Sequence, residues 1–417
     1  MPILDGDHWN VDLGRVAHTL TKALDYVGID DRSHGRRVGL MCHRAAHRLG
    51  WKRERRHAIL IAGMIHDCGV SSTATHQKLV DEMEWSGAED HCRRGEALLR
   101  GFAPFAGYGG LIRHHHSRWT ALPAGLDPWT AQGANLVFLM DRFDVVRAQF
   151  LATHDSHEVL HARAHLADRL RPHVGSLFAP HLFAALEQAI RHDSFWIELE
   201  DEFLDPAIFE ALSTANHHVR LDFDHIFALG EMMSHIVDAK SPFTHAHSLR
   251  VADLAQALAG LLDLPTRQGH MLRLAGLLHD VGKLRTPDDI LEKAGPLSEG
   301  ERDRMTRHPL DSKLVLTALF PHAPMHRWAA QHHEKLNGTG YPFGWQGEQI
   351  EPETRILTIC DIFQALCQVR PYRGRLPVEE VIAIMTKMEA GGEIDPDIFA
   401  VVCRHRQPLY AIAIGGE

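Results

Sequence analysis

The stretch "LAGLLHDVGKL" at residues 274–284 closes an apolar run on a His-Asp pair, and "IAGMIHDCGV" at 61–70 says nearly the same thing earlier in the chain. Working outward from the two phrases tests whether they belong to one repeated unit. Aligning "SHGRRV" (33–38) with "AHSLRV" (246–251) pairs His34 with His247, and 32 residues then lead to His66 in one copy and to His279 in the other. From Asp67 to His91 is 24 residues, against 28 from Asp280 to His308; from His91 to His114 is 23, against 24 from His308 to His332. Each copy next shows adjacent histidines, His114-His115 in "RHHHS" and His332-His333 in "QHHEK", followed after 26 or 28 residues by Asp141 or Asp361. Seven imidazoles and carboxylates recur in one order with loop-sized changes in spacing, so the chain is read as a duplication.

The segments between these residues carry apolar positions at helical spacing, as in "RVADLAQALAGLLDL" (250–264) and "GERDRMTRHPLDSKLVLTALF" (300–320), the latter behind Ser298 as an N-cap. Strand alternation is hard to find. The fold class expected is all-α, two tandem helical bundles, and 417 residues exceed what one core usually serves. The acidic, Pro-containing stretch 198–222 is the junction candidate, which gives a first domain over 1–204, a linker over 205–221 and a second domain over 222–417.

Composition narrows the function classes. Hydrophobic content of 45% and charged content of 24% are those of a globular protein. Apolar runs such as "AILIAGMI" (58–65) are too short to span a bilayer, and "MPILDGDHWN" is not a secretory start, so no membrane partner and a cytoplasmic location are expected. A net charge of −10 argues against polymeric nucleic acid while leaving room for a basic pocket around a small phosphorylated ligand. Six cysteines without a CxxC suggest neither disulfides nor a thiolate metal site. Thirty-three histidines are the anomaly.

Neighbouring His and Asp on a helix lie about 100° apart, close enough for both to reach one centre while single ligands from other helices complete it. A mixed imidazole and carboxylate set suits Fe or Mn, with Zn or Ni as further candidates, and seven ligands exceed the needs of one ion. Two ions bridged by a carboxylate such as Asp280 and sharing an activated water are equipment for phosphodiester hydrolysis.

The second half resembles the HD-GYP family, the branch of the HD phosphohydrolases that opens cyclic dinucleotides. The resemblance covers roughly 222–410 and rests on "HSLRV", "HDVGK", "KAGPLSEGE", "RHP", "HHEKLNGTGYP" and "DIFQALCQVRPYR", with Asn337 where many members carry Asp. It implies metal ligation by His247, His279, Asp280, His308, His332, His333 and Asp361, with Asp280 and Lys283 catalytic. It also implies Lys283 at the scissile phosphate, Arg370 and Arg373 on substrate phosphate oxygens, and a pocket wall at Gly340, Tyr341 and Pro342. Some members hold a third metal through a Glu four residues before the first His; Phe243 stands there, so two divalent ions are expected. The substrate expected is a cyclic dinucleotide, 3′3′-cGAMP or c-di-GMP, cut to a linear dinucleotide and then mononucleotides. A non-catalytic receptor and another HD nucleotide phosphohydrolase are the competing readings, and a homodimer is a further expectation.

The first half keeps His34, His66, Asp67, His91, His114, His115 and Asp141 as candidate ligands of a second metal site. It has Val70 where Lys283 stands, no Gly-Tyr-Pro and no Arg-Pro-Tyr-Arg. It resembles the plain HD domains that precede HD-GYP domains in some bacterial cyclic-dinucleotide phosphodiesterases. It is expected not to hydrolyse the dinucleotide, and Asp30, four residues before His34, is noted as an extra carboxylate there.

Overall fold

The computed structural model describes all residues except 1–2, 6–7, 25–32, 71–77, 79–81, 86, 156–157, 215–217, 241–245, 294, 369–373 and 416–417. The chain divides into two compact units, Val11–Val219 and a second made of Arg220–Glu417 together with Met1–Asn10. Both are helical, as expected of an all-α fold. Among the described residues the only strands are Ile3–Asp5, His8–Asp12 and His218–Leu221, which form one small sheet in that order. No helix among them is long and apolar enough to cross a membrane.

The first unit is built round the helix Pro128–Leu151, whose residues from Gly133 to Arg147 are buried on every side. Its start is set locally: the Asp127 carboxylate accepts from the backbone N–H groups of Trp129 and Thr130, both at 3.0 Å, and Pro128 has no N–H to leave unpaired. The helices His34–Arg48 and Arg53–Met64 cross beside it. A Cβ on Gly63 would come within 2.7 Å of the Gly39 Cα, so only glycine permits that approach.

The second unit repeats the arrangement with His247–Leu261, Thr266–Leu278 and the buried Pro352–Cys367. A Cβ on Gly276 would come within 2.9 Å of the Ala252 Cα, and both members of this pair lie 213 positions after Gly63 and Gly39. Trp9, from the N-terminal segment, packs edge-on against Phe320, with ring centroids 5.3 Å apart.

One expectation is corrected and another refined. Residues 205–213 of the expected linker are helical. The helix Asp201–Ser213 covers them and buries Leu204, Ala207, Ile208, Ala211 and Leu212, while Asp205 pairs with His18, Lys22 and Arg36 of the first unit. The acidic composition that suggested an exposed junction is used to meet cations. The segment 300–320, read as helical, forms two helices, Glu299–Met305 and His308–Leu319. Ser298 does cap the first, in a reciprocal capping box with Glu301. Pro309 cannot donate to a preceding turn, so a fresh helix starts at His308 and leaves that side chain at its mouth.

Candidate active site

In the second unit all seven expected ligands come from helix ends or a buried helix. His247 opens its helix, His279 and Asp280 follow Leu278, His308 opens another, His332 and His333 follow Gln331, and Asp361 sits on Pro352–Cys367. Backbone geometry fixes how the imidazoles point. His279, His308 and His332 donate from Nδ1 to the carbonyls three residues earlier, of Gly276 (2.7 Å), Met305 (2.6 Å) and Ala329 (2.6 Å). Gln364 Oε1 takes the Nδ1 of His247. Each ring thereby turns its Nε2 lone pair inward, as a ligand must.

The distances sort the groups around Asp280. Its Oδ2 lies 3.2 Å from His279 Nε2 and 3.8 Å from His247 Nε2, while its Oδ1 lies 3.3 Å from His308 Nε2 and 3.7 Å from His332 Nε2. Asp361 Oδ1 joins the first set, 3.1 Å from His247 Nε2 and 3.8 Å from His279 Nε2. His308, His332 and His333 form a second group, with all ligand atoms within 4.8 Å. Ligand atoms about 2.1 Å from one tetrahedral ion stand roughly 3.4 Å apart, which is the spacing seen here. One carboxylate thus faces two ligand sets, one with each oxygen.

The electrostatics fit ligation. Burial alone would raise Asp280 and Asp361. The neighbouring groups, His279 and Lys283 for the first and His247 for the second, overcome it and hold both well below the usual carboxylate range. Burial and then adjacent imidazoles lower His332 strongly and bring His333 down to about 3, which keeps their lone pairs available. His279 Nε2 and Asp280 Oδ1 are fully buried and have no hydrogen-bond partner. Such atoms are costly unless something ligates them, so the residues fit divalent ions.

Lys283 Nζ sits 2.5 Å from Asp280 Oδ2 and its side chain is one-fifth exposed, so it can still meet a ligand. Tyr341 covers His333, with ring centroids 4.7 Å apart, and the Tyr341-Pro342 peptide is cis. Gly340 is required where it stands, because a Cβ there would lie 2.5 Å from the His333 carbonyl. Glu334 was not foreseen. Its buried carboxylate accepts from the N–H groups of Phe343 (2.7 Å) and Trp345 (2.9 Å) and so fixes the loop carrying Tyr341; its signal was an acid directly after the paired histidines. Arg370, Arg373 and Phe243 lie outside the described residues, as does Asp30 of the first unit.

The first unit gathers a parallel set with one correction. Its adjacent pair is His115-His116, not His114-His115. His115 donates from Nδ1 to Ile112 O (2.6 Å), as His332 does to Ala329, and His116 stands beside Asp141 at 3.8 Å. His114 is the last residue of the helix Gly109–His114, half-buried and turned to Ser117. The telling signal is spacing, since 24 residues separate His91 from His115 as they separate His308 from His332. His34, His66, Asp67, His91, His115 and Asp141 do converge, in the groups Asp67-His91-His115-His116 and His34-His66-Asp141. Gly69 and Gly282 are equivalent too: a Cβ on either would strike the carbonyl of the third histidine, His91 at 2.0 Å or His308 at 2.1 Å.

Comparison with known proteins agrees with this duplication. Residues 231–398 and residues 32–146 each match the HD domain family. The 3′3′-cGAMP-specific phosphodiesterase 1 of Vibrio cholerae is 35% identical over 97% of this chain and 94% of its own. A cyclic di-GMP phosphodiesterase of Pseudomonas aeruginosa is 34% identical over 52% of this chain and 54% of its own. The crystal structure of a cyclic GMP-AMP specific phosphodiesterase of V. cholerae superposes with a TM-score of 0.64 at 25% identity, covering 95% of this chain and 97% of that one. With a carboxylate facing two histidine sets, the Lys283 position and the Gly-Tyr-Pro loop in one unit and a second HD scaffold in the other, the chain belongs to the HD-GYP family of cyclic-dinucleotide phosphodiesterases.

Proposed function

We propose that the second unit hydrolyses 3′3′-cGAMP, with c-di-GMP as a slower substrate, using two divalent ions. The ions would be held by His247, His279 and Asp361 on one side and by His308, His332 and His333 on the other, with Asp280 between them. The single observation carrying this reading is that each Asp280 oxygen faces its own histidine set while Lys283 stands alongside. cGAMP is placed first because the cGAMP-specific V. cholerae relative matches along nearly the whole chain, whereas the c-di-GMP relative from P. aeruginosa matches over about half.

When bound, such ions supply Lewis acidity and a water activated near neutral pH, and Fe or Mn is the expected pair. The chain's own residues do the rest. Lys283 leaves Asp280 to meet a non-bridging phosphate oxygen, where charge builds as the phosphorus becomes five-coordinate. Arg370 and Arg373 hold the phosphates through paired N–H groups. Tyr341 and Pro342 wall the pocket over His333, with Glu334 fixing their loop. Water adds to phosphorus, the P–O bond to the ribose breaks and a linear dinucleotide results, which a second cut converts to mononucleotides.

The test is a substrate panel on the purified full chain loaded with Mn or Fe. Linear product forming faster from cGAMP than from c-di-GMP is expected. Absence of linear product from every cyclic dinucleotide under both loadings would overturn the reading.

A further inference from the structure

The first unit holds the same kinds of ligand, yet its two halves are not equivalent. On one side, Asp67, His91, His115 and His116 bring four ligand atoms within 4.8 Å of one another. His91 Nε2 lies 3.1 Å from His115 Nε2 and 3.6 Å from Asp67 Oδ1, and His115 Nε2 lies 3.9 Å from the same oxygen. These are near the edge lengths of a tetrahedron of ligands about one small dication, roughly 3.4 Å. His91 and His115 are wholly buried, and the His116 side chain is only 8% exposed. His116 Nε2 and Asp67 Oδ1 are buried without a hydrogen-bond partner, the latter matching the orphaned Oδ1 of Asp280.

On the other side, His34, His66 and Asp141 also converge, but their carboxylate is engaged. Arg142 grips it from the next position, with Nη2 at 2.9 Å from both oxygens and Nε at 3.1 Å from Oδ2, and Arg142 is itself tied to the Glu82 carbonyl at 2.8 Å. His34 is held between Asp144 Oδ2 at 2.9 Å and Asp141 Oδ1 at 3.3 Å, and Arg37 binds Asp144 through two nitrogens. In the second unit Ile362 stands where Arg142 does, and Gln364 where Asp144 does. A dication on this side would share Asp141 with a fixed guanidinium and meet its charge in a buried setting.

We propose that the first unit binds a single divalent cation, of the zinc class, at Asp67, His91, His115 and His116, and that Arg142, by engaging the Asp141 carboxylate, keeps a second ion away. Four protein ligands match the coordination number of a structural site of the zinc class, and the buried Cys92 Sγ lies 3.9 Å from His91 Nε2. Val70, buried at 3% exposure in the place of Lys283, leaves no cation to meet a phosphate there.

The experiment counts metal per chain by elemental analysis on zinc-loaded, desalted full-length protein: the unsubstituted chain, His116→Ala, His116→Gln and Asp141→Asn. Both His116 variants should lose one equivalent and Asp141→Asn should lose none. Retention of the full count in the His116 variants, or an equal loss in Asp141→Asn, would overturn the proposal. Should the His116 variants not fold, cobalt loading of the Asp280→Ala chain decides instead. An intense tetrahedral d–d spectrum supports the single four-ligand site, and a weak six-coordinate spectrum or none overturns it. The difference between the chain and its His116 variants does not depend on what the second unit binds, so failure here is distinct from failure of the catalytic reading.

Discussion

The two units answer one design question in opposite ways. Both bring a His-Asp pair to the end of a helix, both turn the His inward through a bond to the carbonyl three residues back, and both press a glycine against the third histidine's carbonyl. They part at single positions: Val70 against Lys283, Arg142 against Ile362, Asp144 against Gln364. Ligand geometry is a property of the scaffold, set by helix ends and close backbone approaches. In the proposed function, catalysis is carried by a few side chains added to it. A duplicated unit can therefore keep its ligands long after its substrate contacts are gone.

The sharpest way to break this comparison is to remove the equivalent carboxylates. Asp280→Ala should cut turnover by on the order of 10³-fold or more and release metal from the second unit, read by product chromatography and elemental analysis. Asp67→Ala should leave turnover within about threefold, because the proposed chemistry uses no group of its unit. Equal losses in the two variants would erase the division of labour.

Next in size, Lys283→Ala should lower kcat by roughly 10²- to 10³-fold while metal content stays at that of the unsubstituted chain. The reciprocal Val70→Lys should gain no hydrolysis. It should also lower the unfolding free energy by about 2–4 kcal/mol, since an ammonium would replace a buried methyl pair, and a denaturant melt measures this.

Smaller still, Arg370→Lys and Arg373→Lys keep charge but lose the two-nitrogen fork, so each should raise KM by about tenfold with metal content unchanged. Glu334→Gln should be mildest. It keeps the shape but weakens two bonds to the loop, raising KM by about three- to tenfold, and a larger effect on kcat than on KM would place Glu334 nearer the chemistry than its bonds suggest.

Much of this was legible from the residues. The duplication and the seven ligands of the second unit could be read because metal ligands have fixed identities and the spacing between them survives loop changes. The first unit's adjacent pair was misread because three consecutive histidines offer two frames; the 24-residue spacing shared by His91-His115 and His308-His332 selects the second frame, and the turn at the end of Gly109–His114 enforces it. Gln364, Asp144 and Arg142 were illegible as partners. Their roles depend on which helix lies across from them, and that is decided by packing. Asp205 and Pro206 read as a break for a similar reason: nothing in the acidic stretch announces that His18, Lys22 and Arg36 wait for it.

Glu334 carries a consequence for how such an enzyme changes its preferences. It holds the Gly-Tyr-Pro loop by the main-chain amides of Phe343 and Trp345, not by their side chains. The position of the loop is thereby uncoupled from most of its lettering. Substitutions at 343 and 345 can therefore change these side chains while Tyr341 stays over His333, so the loop's surface can drift across generations without the histidine cluster having to be rebuilt each time.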